Sequence, residues 1–352
     1  MSIVKSYMKP IHIIVVLVIS VFISCNNEAK KPTTNSQTTD YPTVGTIEKL
    51  HEGLDKVIAP DTKIEVLTEG FAWSEGPLWL ADEQKVIFSD VPMDTIYEWS
   101  ATGGKAVYLT PSGFTGESTT SHERGSNGLL FNAKGQLVLC QHGNRQVAIM
   151  DAPLNAPKPN YQPIATQYEG KKFNSPNDAC YHSNGDLYFT DPPYGLAQRD
   201  NDPTKEIPFS GVYRVQPNGT VDLLVDSITK PNGIALSPDE KTLYIACSDP
   251  EKARWYAYDI QEDGMVENGR IFYDATNLIG KEGEQGLPDG LKVDANGIIF
   301  ATGPSGVWIF DADGTVLGKI RTTRATANCA IGENGKTLFI TAADLLLRVA
   351  LL

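Results

Sequence analysis

Gly286-Leu287-Pro288-Asp289-Gly290-Leu291-Lys292-Val293-Asp294-Ala295-Asn296-Gly297-Ile298-Ile299-Phe300-Ala301-Thr302-Gly303 is the stretch whose reading decides the rest of the chain. One carboxylate, Asp289, stands just before a short apolar run. An Asp-x-Asn-Gly turn follows, then a second apolar run, which is the pattern of a β-hairpin with an acid at its entrance. Five other stretches repeat it, opening at Glu75, Asn127, Asn177, Asn232 and Asn328. Pro231-Asn232-Gly233-Ile234-Ala235-Leu236 with Thr242-Leu243-Tyr244-Ile245-Ala246-Cys247 is a clear copy. The six opening positions lie 52, 50, 55, 57 and 39 residues apart.

Repeats of about 40 to 55 residues, each holding several short strands, are what a β-propeller requires. Six copies predict an all-β, six-bladed β-propeller over residues 61–352. Asn-Gly, Asp-Gly and Ser-Pro-Asp-Glu turns punctuate this span, and no segment sustains a helical period. No linker-like change of composition divides it into two bodies. The last repeat is short: residues 345–351 supply a third strand and no fourth. The spare strand at residues 64–67 is therefore expected to pair beside it as the outermost strand, closing the ring and removing open edges.

In a propeller blade the innermost strand starts at one mouth of the central channel and the second strand returns to it. The opening residues of all six repeats must gather there, with Asp90, His142, Asp191 and Asp249 from the ends of second strands. Two carboxylates and several amide oxygens converging from distant blades suit a hard divalent cation, Ca2+ first, with Mg2+ and Zn2+ as alternatives. Asn and Asp before a strand also cap turns and bond backbone groups. The shared position argues for a metal at Glu75, Asn177, Asn232 and Asp289, whereas Asn127 and Asn328 are either ligands or caps.

The N-terminus carries Lys5 and Lys9 ahead of an apolar core at residues 11–23, the layout of an export signal. It ends Phe22-Ile23-Ser24-Cys25, which resembles the lipobox of bacterial lipoproteins. The resemblance implies a signal peptide at residues 1–25, lipidation of Cys25, and an exported, membrane-anchored protein facing the periplasm or the cell surface. Residues 26–60, polar and rich in Asn, Lys and Thr up to about Thr43, are read as a flexible tether. The chain has a net charge of −13, and signal removal takes two lysines and no acid, so a polyanionic partner such as nucleic acid is excluded. Cys140, Cys180, Cys247 and Cys329 fall in or beside apolar strand runs and are read as buried small hydrophobes.

Ser-Glu-Gly-Pro-Leu-Trp, Asn-Gly-Leu-Leu-Phe with Gln-His-Gly-Asn-Arg, Ser-Pro-Asn-Asp with Phe-Thr-Asp-Pro-Pro-Tyr-Gly, Lys-Pro-Asn-Gly-Ile-Ala-Leu, and Pro-Asp-Gly-Leu-Lys-Val-Asp occur in that order. Together they resemble the SMP-30/gluconolactonase/LRE-like family, its bacterial gluconolactonase-like members in particular. The resemblance implies a metal-dependent hydrolase that opens a sugar lactone, with metal positions at Glu75, Asn232 and Asp289 and Asn177 as a further ligand or substrate contact. Some relatives have an arginine where this chain has Ser175; Arg124 is the candidate substitute.

A metal polarises the lactone carbonyl and stabilises the oxyanion. Asp289 is the candidate base for the attacking water. Candidate substrate-binding residues are Asn127, His142, Arg124, Asp191 and Asp249, the last two also read as groups supporting the metal ligands from behind or as alternative bases, with Tyr194 and Trp308 as pocket walls. His142 has a second reading as a turn histidine. The loop at residues 111–125 is read either as a lid or as a solvated connection. The rival functions are a non-catalytic binding propeller and a metal-dependent arylesterase or organophosphate hydrolase. No Gly-x-Ser-x-Gly elbow supports serine hydrolase chemistry.

Overall fold

The computed structural model describes Ser2 and residues 40–352. The stretch read as a signal peptide, Cys25 and the first part of the stretch read as a tether lie outside the described residues. Residues 41–352 form one compact unit, and it is a six-bladed β-propeller. Its antiparallel blades run through residues 74–109, 126–165, 179–225, 231–274, 291–321 and 328–350. Within each blade, consecutive strands pair as neighbours, so the innermost strand is first in sequence wherever four strands follow one another.

Burial follows position in the blade. The second strands Leu187–Asp191, Ile299–Gly303 and Thr337–Ala342 are buried along their whole length because a neighbouring blade covers each face. The outermost strands Gly104–Leu109 and Val266–Asp274 are mostly exposed. Six apolar clusters account for the core among the described residues, one between each pair of adjacent blades. Between the sixth and first blades, Trp79 stacks on Phe339 at 5.2 Å between ring centroids. Cys140, Cys180, Cys247 and Cys329 are free thiols, all buried or partly buried.

Both chain ends close the ring. Glu65–Glu69 pairs antiparallel with Leu345–Ala350 as the outermost strand of the sixth blade, as the short last repeat requires. The second closure corrects the sequence reading. Thr46–Lys49, inside the span read as tether, adds a fifth strand to the fifth blade by pairing with Val316–Arg321, and Leu54 behind it is buried. A tether reaching residue 60 is therefore too long. The strand escaped notice because Thr-Ile-Glu-Lys carries a single apolar residue. Gly45 makes its entry possible: its φ is +61°, and a Cβ there would lie 1.9 Å from the Arg321 carbonyl oxygen.

Candidate active site

The opening residues of five of the six repeats converge on one cavity. A cavity of about 380 Å3 at the channel mouth is lined by Glu75, Asn127, Asn177, Asn232 and Asp289, with Trp73, Glu123, Tyr194 and Arg199 around them. A larger hollow of about 1110 Å3 lies at the opposite ends of the strands, beside His51, Asp294 and Leu352, and holds none of the converging residues.

Local backbone features aim these side chains. In the first, second and fourth blades the register between the two inner strands shifts across Glu75/Leu78, Ser126/Leu129 and Pro231/Ile234. Such bulges turn a side chain out of the sheet and are common beside active sites. The residue after Glu75 and after Asn232 is glycine because the next blade's backbone passes there. A Cβ on Gly76 would stand 2.0 Å from the Asn127 oxygen, and one on Gly233 2.3 Å from the Asp289 oxygen. Second-strand hydroxyls tie the blades at the same level. Ser89 Oγ donates to the Asn127 carbonyl at 2.9 Å, Thr190 Oγ1 to that of Asn232 at 2.6 Å, and Thr302 Oγ1 to that of Ala327 at 2.8 Å.

Side-chain partners fix which atoms face the cavity. Ser248 Oγ donates to the Pro288 carbonyl, so it accepts from Asn232 Nδ2 at 2.9 Å and leaves Asn232 Oδ1 free. Asn127 Oδ1 and Asp289 Oδ1 are buried and lack any hydrogen-bond partner. Burial pushes the Glu75 carboxyl up to about 7; the Gly76 N–H pulls back, and the charge of Asp178 adds to the rise. Burial likewise drives Asp289 well above the carboxylate range, reinforced by the charges of Glu75 and then Asp178. Orphaned buried oxygens and carboxylates crowded together are groups a cation would satisfy, so the residues present fit a divalent ion.

Several sequence expectations need correction. Asp191 does not face the cavity. It is wholly buried, and its two oxygens accept the N–H groups of Asn174 and Ser175, each at 2.7 Å. Asp90 holds Ala72 and Trp73 in the same way. These acids clip the backbone ahead of Asn177 and Glu75, which for Asp191 is the supporting role among its two sequence readings. Asp249 is occupied by Thr229 Oγ1 and the Glu251 N–H outside the cavity. His142 is fully buried beside a separate hollow with Arg145 and Asp202, and neither ring nitrogen has a hydrogen-bond partner. Arg124 is exposed and contributes only its carbonyl, which accepts from Gly143 N. Trp308 is buried in the fifth blade's core, where its Nε1 donates to the Pro304 carbonyl. Asn328 lies just below the cavity in a polar network and does not line it.

The residues that sequence reasoning missed are Glu123, Arg199, Asp178 and Lys292. Glu123, from the loop at residues 111–125, lines the cavity and meets Arg199 at 3.4 Å. Arg199 also covers the ring of Tyr194 at 5.5 Å. Asp178 Oδ1 accepts from Ala179 N, and its Oδ2 faces Lys292 Nζ and Asn328 Nδ2, both at 3.4 Å. One signal was available for Asp178. The residue after the opening position is glycine in four repeats, and Asp178 and Cys329 are the exceptions.

Relatives of known kind share this architecture. A gluconolactonase of Zymomonas mobilis is 36% identical over 311 residues, which cover 87% of this chain and 86% of the relative. The solved structure of a gluconolactonase of Xanthomonas campestris superposes with a TM-score of 0.74 at 29% identity, over 88% of this chain and 97% of the other. A calcium-binding protein, regucalcin, of Agrobacterium tumefaciens has a TM-score of 0.62 at 19% identity over 81% of this chain and 92% of its own, a likeness of fold. A propeller with this mouth and these relatives is a lactonase, a hydrolase of carboxylic esters. The chain belongs to the SMP-30/Gluconolactonase/LRE-like family, whose region spans residues 73–344.

Proposed function

We propose that this lactonase opens a neutral sugar lactone at a single divalent cation, Ca2+ foremost, held by Glu75, Asn177, Asn232 and Asp289. The observation that carries the reading is the pair of buried, unpartnered oxygens, Asn127 Oδ1 and Asp289 Oδ1, on one cavity with Glu75, Asn177 and Asn232. When bound, such an ion polarises the ester carbonyl as a Lewis acid. The chain's own residues do the rest. Asp289 takes the proton of the attacking water, whose oxygen bonds to the carbonyl carbon. The ring C–O bond breaks, and the proton passes to the departing ring oxygen. Asn127 bonds ring hydroxyls, Tyr194 and Trp73 wall the sugar, and the rim at Glu123 and Arg199 limits water.

A panel of aldonolactones, aryl esters and organophosphates, followed by acid release with and without chelator, tests this reading. Lactone hydrolysis that chelator abolishes and Ca2+ restores is the expected result. Lactone turnover indifferent to chelator removes the metal, and preferred turnover of aryl esters removes the sugar. The same proposal takes the protein to be exported and anchored through a lipid on Cys25. Cys25→Ala should then leave the membrane fraction or remain unprocessed, and soluble wild-type protein in an export-competent host would defeat the anchor.

A further inference from the structure

Lys292 is the only basic residue in the six innermost strands. It follows Asp289 by three residues, so it stands lower in the channel wall. Its Nζ lies 3.4 Å from Asp178 Oδ2, 3.2 Å from Asn328 Oδ1 and 3.0 Å from the Leu291 carbonyl. It thereby joins the third, fifth and sixth blades beneath the residues that line the cavity. Asp178 is buried, and so are Glu75 and Asp289, or nearly so.

A count of formal charge around this shaft is short. Once a cation offsets the burial that otherwise favours their protonated forms, Glu75 and Asp289 contribute with Asp178 three negative charges, and Lys292 contributes one positive. At the rim, Glu123 and Arg199 face each other and cancel. The protein's share is a net charge of minus two, which one divalent ion neutralises. Where the charged side chains are buried, as Glu75 and Asp178 are, each uncompensated unit charge weighs heavily on what binds.

We propose that Lys292 is the residue that makes this centre selective for a divalent ion, by cancelling Asp178 beneath it. The inference rests on the metal reading above and adds to it the charge of the ion. Lys292 touches neither substrate nor ion and acts through Asp178. Without it, the centre carries three negative charges and matches a trivalent ion.

Competition between Ca2+ and Tb3+ tests this without recourse to activity. Tb3+ luminescence is sensitised by tryptophan, and Trp73 lines the cavity. Lys292→Met should shift the Tb3+ to Ca2+ affinity ratio toward Tb3+ by about tenfold or more. Lys292→Arg should keep the wild-type ratio. The double variant Asp178→Asn with Lys292→Met, which restores minus two, should return to it. If Lys292→Met weakens both ions in parallel, or the double variant keeps the shifted ratio, Lys292 is only a cross-link and the inference fails. Should Lys292→Met not fold, as a thermal melt would show, Lys292→Gln and the double variant serve the same comparison. Wild-type protein that binds neither ion in calorimetry would instead overturn the metal reading itself, and this inference with it.

Discussion

Asp191 Oδ1 accepts the backbone N–H of Ser175 at 2.7 Å, two residues before Asn177 enters the cavity. With Oδ2 on Asn174 N, the carboxylate fixes the approach of a candidate ligand without reaching the cavity. Removing it leaves two buried donors without acceptors, at about 1–3 kcal/mol each. Asp191→Ala should lower the free energy of unfolding in urea by about 2–5 kcal/mol, with the largest loss of hydrogen-exchange protection around Asn174 to Asn177. A variant that is fully stable yet inactive would make Asp191 a participant in the chemistry after all.

His142 gives the fold a pH dependence of predictable sign. Burial lowers its pKa from 6.5 to about 4, so the folded chain holds it neutral. Between those values the unfolded chain binds the extra proton, and stability is intact above pH 6.5 and lost as pH falls toward 4. A shift of this size corresponds to about 3 kcal/mol at the acid end. His142→Gln should flatten the unfolding free energy between pH 6.5 and 4 relative to wild type. Parallel curves for the two proteins would place the acid sensitivity elsewhere.

What could be read from the sequence and what could not divides along physical lines. The fold was legible because a strand–turn–strand unit recurs six times, and the ligand candidates because they occupy one position in it. A bulge between Ser126 and Leu129 turns the strand at Asn127, whereas the sixth blade pairs in unbroken register from Asn328, so two residues alike in sequence part company and only Asn127 lines the cavity. The second-strand acids Asp90 and Asp191 sit at the right end of the axis, but backbone N–H groups from the preceding loop capture them, and loop conformation has no sequence period. Arg199 lies in a loop of the third blade with φ of +51°, and nothing in its neighbourhood marks it as the residue opposite Glu123. Arg124 stands nearer to Asn127 in sequence, yet it is exposed and does not line the cavity.

Glu123 and Arg199 set the charge that a substrate meets at the rim. Because Arg199 faces Glu123 at 3.4 Å, it has little positive charge to offer an anionic lactone. Neutral aldonolactones should be turned over faster than their phosphorylated counterparts. Glu123→Gln releases the guanidinium and should narrow that preference, through KM for the phosphorylated substrate more than through kcat. Faster turnover of the phosphorylated lactone by wild-type enzyme would contradict the assignment.

Glu75 and Asp289 should fail differently when altered, since both hold the ion in this reading but only Asp289 also takes a proton. Glu75→Gln keeps an oxygen at nearly the same place and removes one charge, so affinity for the metal drops and activity recovers in part at high metal concentration. Asp289→Asn also keeps an oxygen, yet its amide cannot accept the proton of the attacking water. Its activity should stay roughly 10²- to 10⁴-fold down even with the metal site saturated, the usual worth of a general base. Metal titrations of both variants, read by calorimetry beside turnover, separate occupancy from chemistry. If saturating metal restored Asp289→Asn as fully as Glu75→Gln, Asp289 would be a ligand alone. The base would then be sought at Glu123, since Asp191 is committed to Asn174 and Ser175 and Asp249 lies outside the cavity.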